Sequence, residues 1–182
     1  EGIANYHRIE DNCWSTRRGV AFMAYWLGDY TRAGRHWDVI LFNSGMHDMK
    51  KRTPDGEYAV PLDEYKANLV KEIELMKRTG AALVFCTTTP VPNDLGSQRY
   101  GFRSKGAEKD FNQAAREVLE NYPEIAVCDL AKVVNDAELY DQWRTGKDVH
   151  YWSADLQEPL GKAVAEAVIR GILMVSAIIA IL

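Results

Sequence analysis

A histidine and an aspartate near the C-terminal end of the chain have the residue types and the spacing needed for acyl-transfer chemistry. His150 follows Asp148 by two residues, in a loop that precedes the last predicted helix. A carboxylate that fixes the imidazole tautomer and stabilises the imidazolium is half of a serine-hydrolase triad. We therefore interpret His150 as a candidate general base and Asp148 as its candidate partner.

A second group of polar residues could bind a developing oxyanion. Asn12 lies in one predicted turn, and Gly45, His47 and Asp48 lie in another. A side-chain amide, a backbone N–H at the glycine and the polar groups of the other two residues are suitable donors for such a site. Together the two groups predict acyl transfer. No nucleophile is identified after a strand, because Ser44 is interpreted as a packed turn residue.

Strands and helices alternate along the sequence, which predicts a parallel sheet covered on both faces. Short apolar runs predict the strands, and apolar residues at helical spacing predict the helices. The predicted strands are 37–42, 81–86, 125–128 and, with the weakest pattern, 3–9. The predicted helices are 15–28, one that opens at Pro61, one marked by 111–119 and one that begins near Pro159. Residues 88–106 are predicted to form a loop.

The candidate residues follow the ends of these strands or precede the last helix. In an open parallel sheet, ligands bind at the carboxyl ends of the strands. We therefore expect four loops to converge on one crevice, namely 10–13, 43–48, 87–92 and 147–151.

The composition limits the classes of partner. The net charge is −4 and no basic stripe is visible, so no nucleic-acid partner is expected. Cys13, Cys86 and Cys128 are odd in number and have no metal-ligand spacing, so neither a disulfide framework nor a metal site is predicted. The uncharged run at the C-terminus is shorter than the ~20 residues that span a bilayer, which argues against a membrane partner.

The same C-terminal run, 172–182, allows three structures. It extends the last helix, begins a membrane helix or forms a strand, since it is rich in Ile and Val. We expect the helical extension, because 161–170 is strongly helical. The predicted organisation is one domain over 1–170 followed by an apolar tail over 171–182.

Several segments resemble, in chain order, the sequence blocks of the SGNH (GDSL-like) hydrolases. Residues 38–48, DVILFNSGMHD, are similar to the third block of that family, and in particular to a bacterial branch whose block reads roughly DVIHFNWGLHD. The other matching segments are 10–13 with 16–19 for the second block, 87–92 for a strand end, 111–115 for a helix and 148–151 for the fifth block.

This resemblance implies a flavodoxin-like three-layer α/β/α sandwich. It also implies an esterase that uses Ser–His–Asp chemistry without a metal or an organic cofactor. The fifth block supplies the catalytic histidine and aspartate, which correspond to His150 and Asp148. Such families often remove acyl groups from carbohydrates, so a carbohydrate or other small ester is the expected substrate and a secreted or periplasmic location is expected.

The chain departs from the family pattern in three places. The Gly-Asp-Ser block does not occur in the 182 residues. By the family layout it would precede Glu1, so we expect the first strand and the nucleophile to be missing and the chain to be inactive. Most members have asparagine where this chain has His47, although the named branch has histidine. The aspartate often stands three residues before the histidine, where this chain has Lys147.

Each candidate also has a purely structural interpretation. His150 could be a surface loop residue and Asp148 a turn or capping residue. Asn12 could satisfy backbone groups of its turn, and His47 with Asp48 could cap the segment that follows. The alternative function is a non-catalytic domain of this fold that binds a glycan or a protein. A nucleotide-binding protein is disfavoured, since the sequence has no Gly-rich phosphate loop.

Overall fold

The structure is a computed structural model that describes residues 5–10, 12–97, 101–137 and 154–179. The predicted catalytic residues His150 and Asp148 lie outside the described residues. The elements are, in chain order, α1 (Thr16–Leu27), β1 (Val39–Phe42), α2 (Leu62–Lys77), β2 (Ala82–Cys86), β3 (Leu95–Ser97), β4 (Gly101–Arg103), α3 (Ala107–Leu119), β5 (Ala126–Cys128), α4 (Leu130–Ala137) and α5 (Ala154–Ile179).

Three of the strands form a parallel sheet in the order β1-β2-β5. Ile40 of β1 lies beside Leu83 of β2, and Val84 of β2 lies beside Ala126 of β5. Every residue of β2 is buried, because helices cover both faces of the sheet. Within the described residues β1 is an edge strand, and its Leu41 is 44% exposed.

Two apolar clusters lie on opposite faces of the sheet. The larger cluster joins Leu83 and Phe85 of β2 to the buried faces of α1, α2 and α3. The smaller cluster joins Val84 and Cys86 of β2 to Ala167 of α5. Because successive side chains of a strand point to opposite faces, this separation defines three layers. The predicted α/β/α sandwich with a parallel sheet is therefore confirmed.

Helices α1 and α2 begin close to the residues that the sequence indicated. Helix α1 begins directly after Ser15, whose carbonyl accepts the N–H groups of Arg18 and Gly19 at 2.9 and 3.0 Å. The Ser15 side chain makes no capping bond. Helix α2 begins directly after Pro61, and the chain leaves its C-terminal end through Gly80, whose φ is 76°. That left-handed conformation is the one glycine adopts without strain.

Helix α5 packs closely on the smaller cluster. A Cβ atom on Gly171 would lie 3.0 Å from Val84 Cγ2, so a glycine brings the helix against the sheet. Cys86 and Cys128 lie in register on neighbouring strands, and both thiols are buried and free. The helix continues to Ile179, which confirms the helical extension for 172–179.

No helix in the described part of the chain has the length and apolar character needed to cross a membrane.

Three sequence predictions were wrong. Residues 5–9 are not a strand, and residues 5–8 are exposed; a strand requires a hydrogen-bonded neighbour, and none pairs with them among the described residues. The predicted loop 88–106 contains the antiparallel pair β3–β4 and the last residues before α3. The last helix begins at Ala154, so Pro159 lies inside it.

Helix α4 was not predicted, because it is short. A pair of hydroxyl and carboxylate caps forms its start: Thr87 Oγ1 accepts the N–H of Ala131 at 2.9 Å, and Asp129 Oδ1 accepts the N–H of Lys132 at 3.1 Å. Thr87 also donates to Asp129 at 3.0 Å, so the end of β2 and the start of α4 are fixed together.

Candidate active site

The carboxyl ends of β1 and β2 are joined through Asn43, the first residue after β1. Its Nδ2 donates to the carbonyl of Cys86 at 2.7 Å and to Thr88 Oγ1 at 3.2 Å. Thr88 Oγ1 in turn donates to the carbonyl of Ser44 at 3.2 Å. These bonds hold the 43–48 turn at the edge of the sheet where ligands bind in open parallel folds.

Gly45 allows this turn to pack against the end of β2. Its φ is 135°, in the region that favours glycine. A Cβ atom at this position would lie 2.9 Å from Thr88 Oγ1, closer than ordinary contact. The carbonyl of Gly45 accepts the N–H of Met49 at 3.0 Å. Gly45 is buried, and its backbone conformation shapes the turn.

Asp48 is fully buried beneath the turn and binds the start of α1. Its Oδ1 accepts the backbone N–H of Thr16 at 2.9 Å and the Thr16 hydroxyl at 2.6 Å. Asn68 Nδ2 donates to Thr16 Oγ1 at 3.3 Å and so extends the network to α2. The positive end of a helix favours a carboxylate at this position.

Burial and hydrogen bonding have opposite effects on the pKa of Asp48. Burial is the larger effect and raises the pKa of the Asp48 carboxyl above its usual value, although hydrogen bonds from Thr16 and from the backbone N–H groups of Asp48 and Gly45 oppose the rise. The Gly45 N–H, predicted as an oxyanion donor, thus lies near a buried carboxyl group. Asp48 itself faces the protein interior and connects the second-block and third-block segments.

A second carboxyl group, Glu72 of α2, is buried under the same turn. Its Oε2 accepts the Ser44 hydroxyl at 3.2 Å, and its side chain is 3% exposed. Burial raises the pKa of Glu72 to about 8; the Ser44 bond lowers it and the charge of Asp48 raises it further. Helix α1 makes room for this side chain at Gly19, where a Cβ atom would lie 1.6 Å from Glu72 Oε1.

The exposed side of the turn carries Asn12, Trp14 and His47. Asn12 Oδ1 accepts the backbone N–H of Trp14 at 3.0 Å. Trp14 has a φ of 57° and is 56% exposed, and its ring centroid lies 5.6 Å from that of the half-buried His47. The side chain of Lys50 also approaches Trp14, with Nζ 5.8 Å from the centroid of its ring.

The structure thus divides the predicted oxyanion residues into two layers. Asn12 and His47 are brought to one exposed edge through Trp14, whereas Gly45 and Asp48 lie beneath them. The participation of His150 and Asp148 stays a prediction, because both lie outside the described residues.

Two residues of this region were missed in the sequence. Glu72 stands at the helical spacing of the buried residues Tyr65, Leu69 and Met76, so periodicity was available as a signal that it points inward. Trp14 carried no such signal, since its role depends on the left-handed backbone that turns its ring toward His47.

Comparison with known proteins gives matches only among solved structures. No family model matches the chain, and no curated protein matches it significantly. A GDSL-like lipase from Bacteroides thetaiotaomicron VPI-5482 superposes with a TM-score of 0.60 at 12% identity, over 86% of this chain and 71% of the lipase.

Two further structures agree with that match. A protein from Bacteroides fragilis NCTC 9343, assigned as an acylhydrolase, has a TM-score of 0.57 at 15% identity, over 87% of this chain and 71% of its own. One from Parabacteroides merdae ATCC 43184, assigned as a GDSL-like lipase, has a TM-score of 0.56 at 15% identity, over 72% of this chain and 60% of its own.

The chain has the GDSL-like hydrolase fold. The resemblance predicted from the sequence blocks is confirmed at this level. The segments 16–19 and 38–48, which resemble the second and third blocks, meet through the Thr16–Asp48 hydrogen bonds.

Proposed function

We propose that this chain supplies the acid–base and oxyanion groups of a GDSL-like serine esterase. The observation that carries the proposal is the position of Trp14, whose N–H donates to Asn12 Oδ1 at 3.0 Å and whose ring lies 5.6 Å from that of His47. Through Trp14, Asn12 and His47 lie together at the edge of the sheet where β1 ends. Ligands of open parallel sheets bind at this edge. The structural relatives, which are assigned as lipases or acylhydrolases, support the same reaction class.

In the proposed reaction, the nucleophile is the serine of a Gly-Asp-Ser segment that is not among the 182 residues. His150 takes the proton from the serine hydroxyl as its oxygen attacks the ester carbonyl, and Asp148 orients the imidazole. The imidazolium then protonates the leaving alcohol as the C–O bond breaks. Water, activated by His150, releases the acid by the same two steps.

Asn12 and His47 are proposed to stabilise the oxyanion formed in each step. The amide oxygen of Asn12 accepts the Trp14 N–H, so its Nδ2 is the donor in this proposal. Gly45 and Asp48 then serve as positioning residues, since they are buried and fix the turn that carries His47. A carbohydrate ester is the proposed substrate class, because the exposed indole of Trp14 is a flat surface against which a sugar ring can pack.

A non-catalytic glycan-binding or protein-binding domain is the second candidate. The exposed Trp14 ring favours it independently of any catalytic group. The two candidates differ in turnover, which only the esterase requires.

The test is the hydrolysis of p-nitrophenyl acetate by the full gene product. Its rate is compared with the rates of the variants His150→Ala, Asn12→Ala and His36→Ala. We expect His150→Ala to lower kcat/KM by at least ~10³-fold and Asn12→Ala to lower kcat by ~10²-fold. His36 is an exposed histidine that pairs with Asp38 at 3.3 Å, so His36→Ala should leave the rate unchanged.

An undiminished rate in His150→Ala would show that the catalytic assignment is wrong. Binding of a carbohydrate without any ester hydrolysis would favour the second candidate.

A further inference from the structure

A cleft lined by cationic side chains opens beside the candidate active site. Its volume is about 730 Å³, and we name it the basic cleft after four of its lining residues, Arg17, Lys50, Lys51 and Arg52. Glu57 is the acidic residue of the lining. The chain as a whole has a net charge of −4, so this concentration of positive charge runs against the average of the molecule.

Most of the positive charge in the basic cleft is uncompensated within the described residues. Arg17 is neutralised by a two-bond ion pair with Glu64, at 2.5 and 2.6 Å. No described residue forms an ion pair with Lys50, Lys51 or Arg52. Grouped like charges in a concave surface raise the local concentration of anions, so the cleft is suited to an anionic ligand.

A further cation lies close to Lys50. Burial lowers the pKa of the half-buried Lys50, and the charge of Arg103 lowers it further. Arg103 itself donates from Nε to the carbonyl of Met46 at 2.8 Å. This bond holds the Arg103 side chain against the 43–48 turn, near Lys50.

The backbone holds the lysines in a fixed frame. Lys51 and Phe102 exchange two backbone hydrogen bonds at 2.8 and 2.9 Å, and Ala59 donates to the Lys50 carbonyl at 2.6 Å. Gly101 has a φ of 78° and packs so closely that a Cβ atom would lie 3.3 Å from the Lys51 carbonyl oxygen. Paired backbone and close packing therefore fix the main-chain positions of the two lysines that line the cleft.

The basic cleft adjoins the exposed aromatic surface of the site. Lys50 Nζ lies 5.8 Å from the centroid of Trp14, and the Trp14 ring lies 5.6 Å from the ring of His47. A cation next to an exposed indole is a combination that contacts both the carboxylate and the apolar ring face of an acidic sugar. A ligand long enough to pass over Trp14 would reach the cleft and His47 together.

We propose that the basic cleft binds the carboxylates of an acidic glycan, so that the ester cleaved at the neighbouring site is carried by a chain of uronic acids. The claim about the cleaved ester rests on the proposed esterase function, whereas the claim that the basic cleft binds an acidic glycan does not. A neutral glycan would offer no carboxylate to Lys50, Lys51 and Arg52 and would bind less tightly.

The test is calorimetric titration of the protein as its gene encodes it, without turnover. The probes are trigalacturonic acid, the neutral trisaccharide maltotriose and a sulfated trisaccharide. We expect trigalacturonic acid to bind at least about ten-fold more tightly than maltotriose, because each charge-assisted contact contributes appreciably to affinity. High salt should weaken the binding of trigalacturonic acid and leave maltotriose unaffected.

The variants separate the basic cleft from general electrostatics. The double variant Lys50→Met with Lys51→Met should lose at least about ten-fold in affinity for trigalacturonic acid. Lys162→Met removes an exposed charge on α5 and serves as the control with unchanged affinity. Should the double variant not fold, as judged by circular dichroism, Arg52→Glu at an exposed position makes the same test.

Equal affinity for the acidic and neutral trisaccharides, or unchanged affinity in a folded cleft variant, would overturn the proposal. Binding of the sulfated probe alone would overturn the assignment to carboxylates. Cleft-dependent binding of trigalacturonic acid by a protein that hydrolyses no ester would refute the esterase and leave the glycan site standing.

Discussion

Asp48 accepts both the backbone N–H and the hydroxyl of Thr16 through a single oxygen, at 2.9 and 2.6 Å, in a fully buried position. Because the turn after β1 and the start of α1 are held by these bonds, the variant Asp48→Ala should be strongly destabilised. We expect the free energy of unfolding to fall by about 2 kcal/mol or more, since two buried donors lose their acceptor. Urea unfolding measures the change.

The matched control is Asp55→Ala, which removes an exposed carboxylate in the loop before α2. Its free energy of unfolding should stay within ~0.5 kcal/mol of the wild-type value. Equal effects of the two substitutions would show that the Thr16–Asp48 bonds contribute nothing specific.

Glu72 should make the protein less stable as the pH rises. Its pKa is about 8 in the folded chain and 4.5 in the unfolded chain, so between these values only the folded state keeps the proton. The contribution of Glu72 to the free energy of unfolding should therefore be greatest below about pH 4.5. It should fall by up to ~1.4 kcal/mol per pH unit as the pH rises from 4.5 to about 8. Urea unfolding at several pH values gives the slope.

Glu72→Gln imitates the protonated side chain, so its slope over the same window should be shallower than that of the wild type. Glu74→Gln, on the exposed side of the same helix, is the control and should keep the wild-type slope. If Glu72→Gln and wild type share one pH profile, Glu72 is not the titrating group.

Gly19→Ala should destabilise the protein although it replaces a helical glycine. Alanine is normally favoured over glycine in a helix by ~1 kcal/mol. At Gly19, however, the added methyl would lie 1.6 Å from Glu72 Oε1 and would displace that buried side chain from Ser44. The expected result is a lower melting temperature.

Gly161→Ala supplies the opposite case, because nothing lies within 4 Å of a Cβ atom at that position of α5. It should raise the free energy of unfolding by up to ~1 kcal/mol. Stabilisation by both substitutions would mean that Glu72 moves aside without cost.

Only Cys13 should react rapidly with dithionitrobenzoate in the folded protein. Cys13 is exposed, whereas Cys86 and Cys128 are buried, and burial raises the pKa of both their thiols. Thiolates are the reactive form, so the two buried residues should react only after denaturation. Each thiol that reacts forms a mixed disulfide and releases one thionitrobenzoate, so the measurement is the thionitrobenzoate released with and without guanidinium. Cys13→Ser should abolish the rapid phase.

The 182-residue chain by itself should not hydrolyse p-nitrophenyl acetate with serine-type kinetics. It contains no Gly-Asp-Ser segment, and the base and oxyanion groups alone give only residual catalysis. Robust turnover that disappears in His150→Ala would reveal a nucleophile within the 182 residues. Ser44→Ala would then be the next variant, since Ser44 is the second residue after β1.

The central strand of the sheet was predictable because it is fully buried. A strand covered on both faces reads as a continuous apolar run, and β2 has every side chain buried. The segment 3–9 was predicted as a strand from a weak pattern. Such a pattern does not supply the neighbouring strand whose backbone groups would pair with it, and the prediction was wrong for residues 5–9.

The candidate site was predictable in position and less so in detail. The 43–48 turn follows β1, and strand ends are where parallel sheets bind ligands. Which of its polar groups point outward depends on tertiary contacts, and the Thr16 bonds that turn Asp48 inward connect residues far apart in sequence. The basic cleft was missed for the same reason, since Arg17, Lys50 and Gly101 come from three separate segments.

Strand β1, with the 44% exposed side chain of Leu41, has a further consequence for the purified chain. Its outer edge pairs with no strand in the described residues, and an unpaired edge is a template for another chain. Self-association of this kind is a bimolecular process, so its onset depends on concentration. A dilute sample should therefore keep its monomer for far longer than a concentrated one held at the same temperature, and a charged side chain in place of Leu41 should lengthen the lag before turbidity appears.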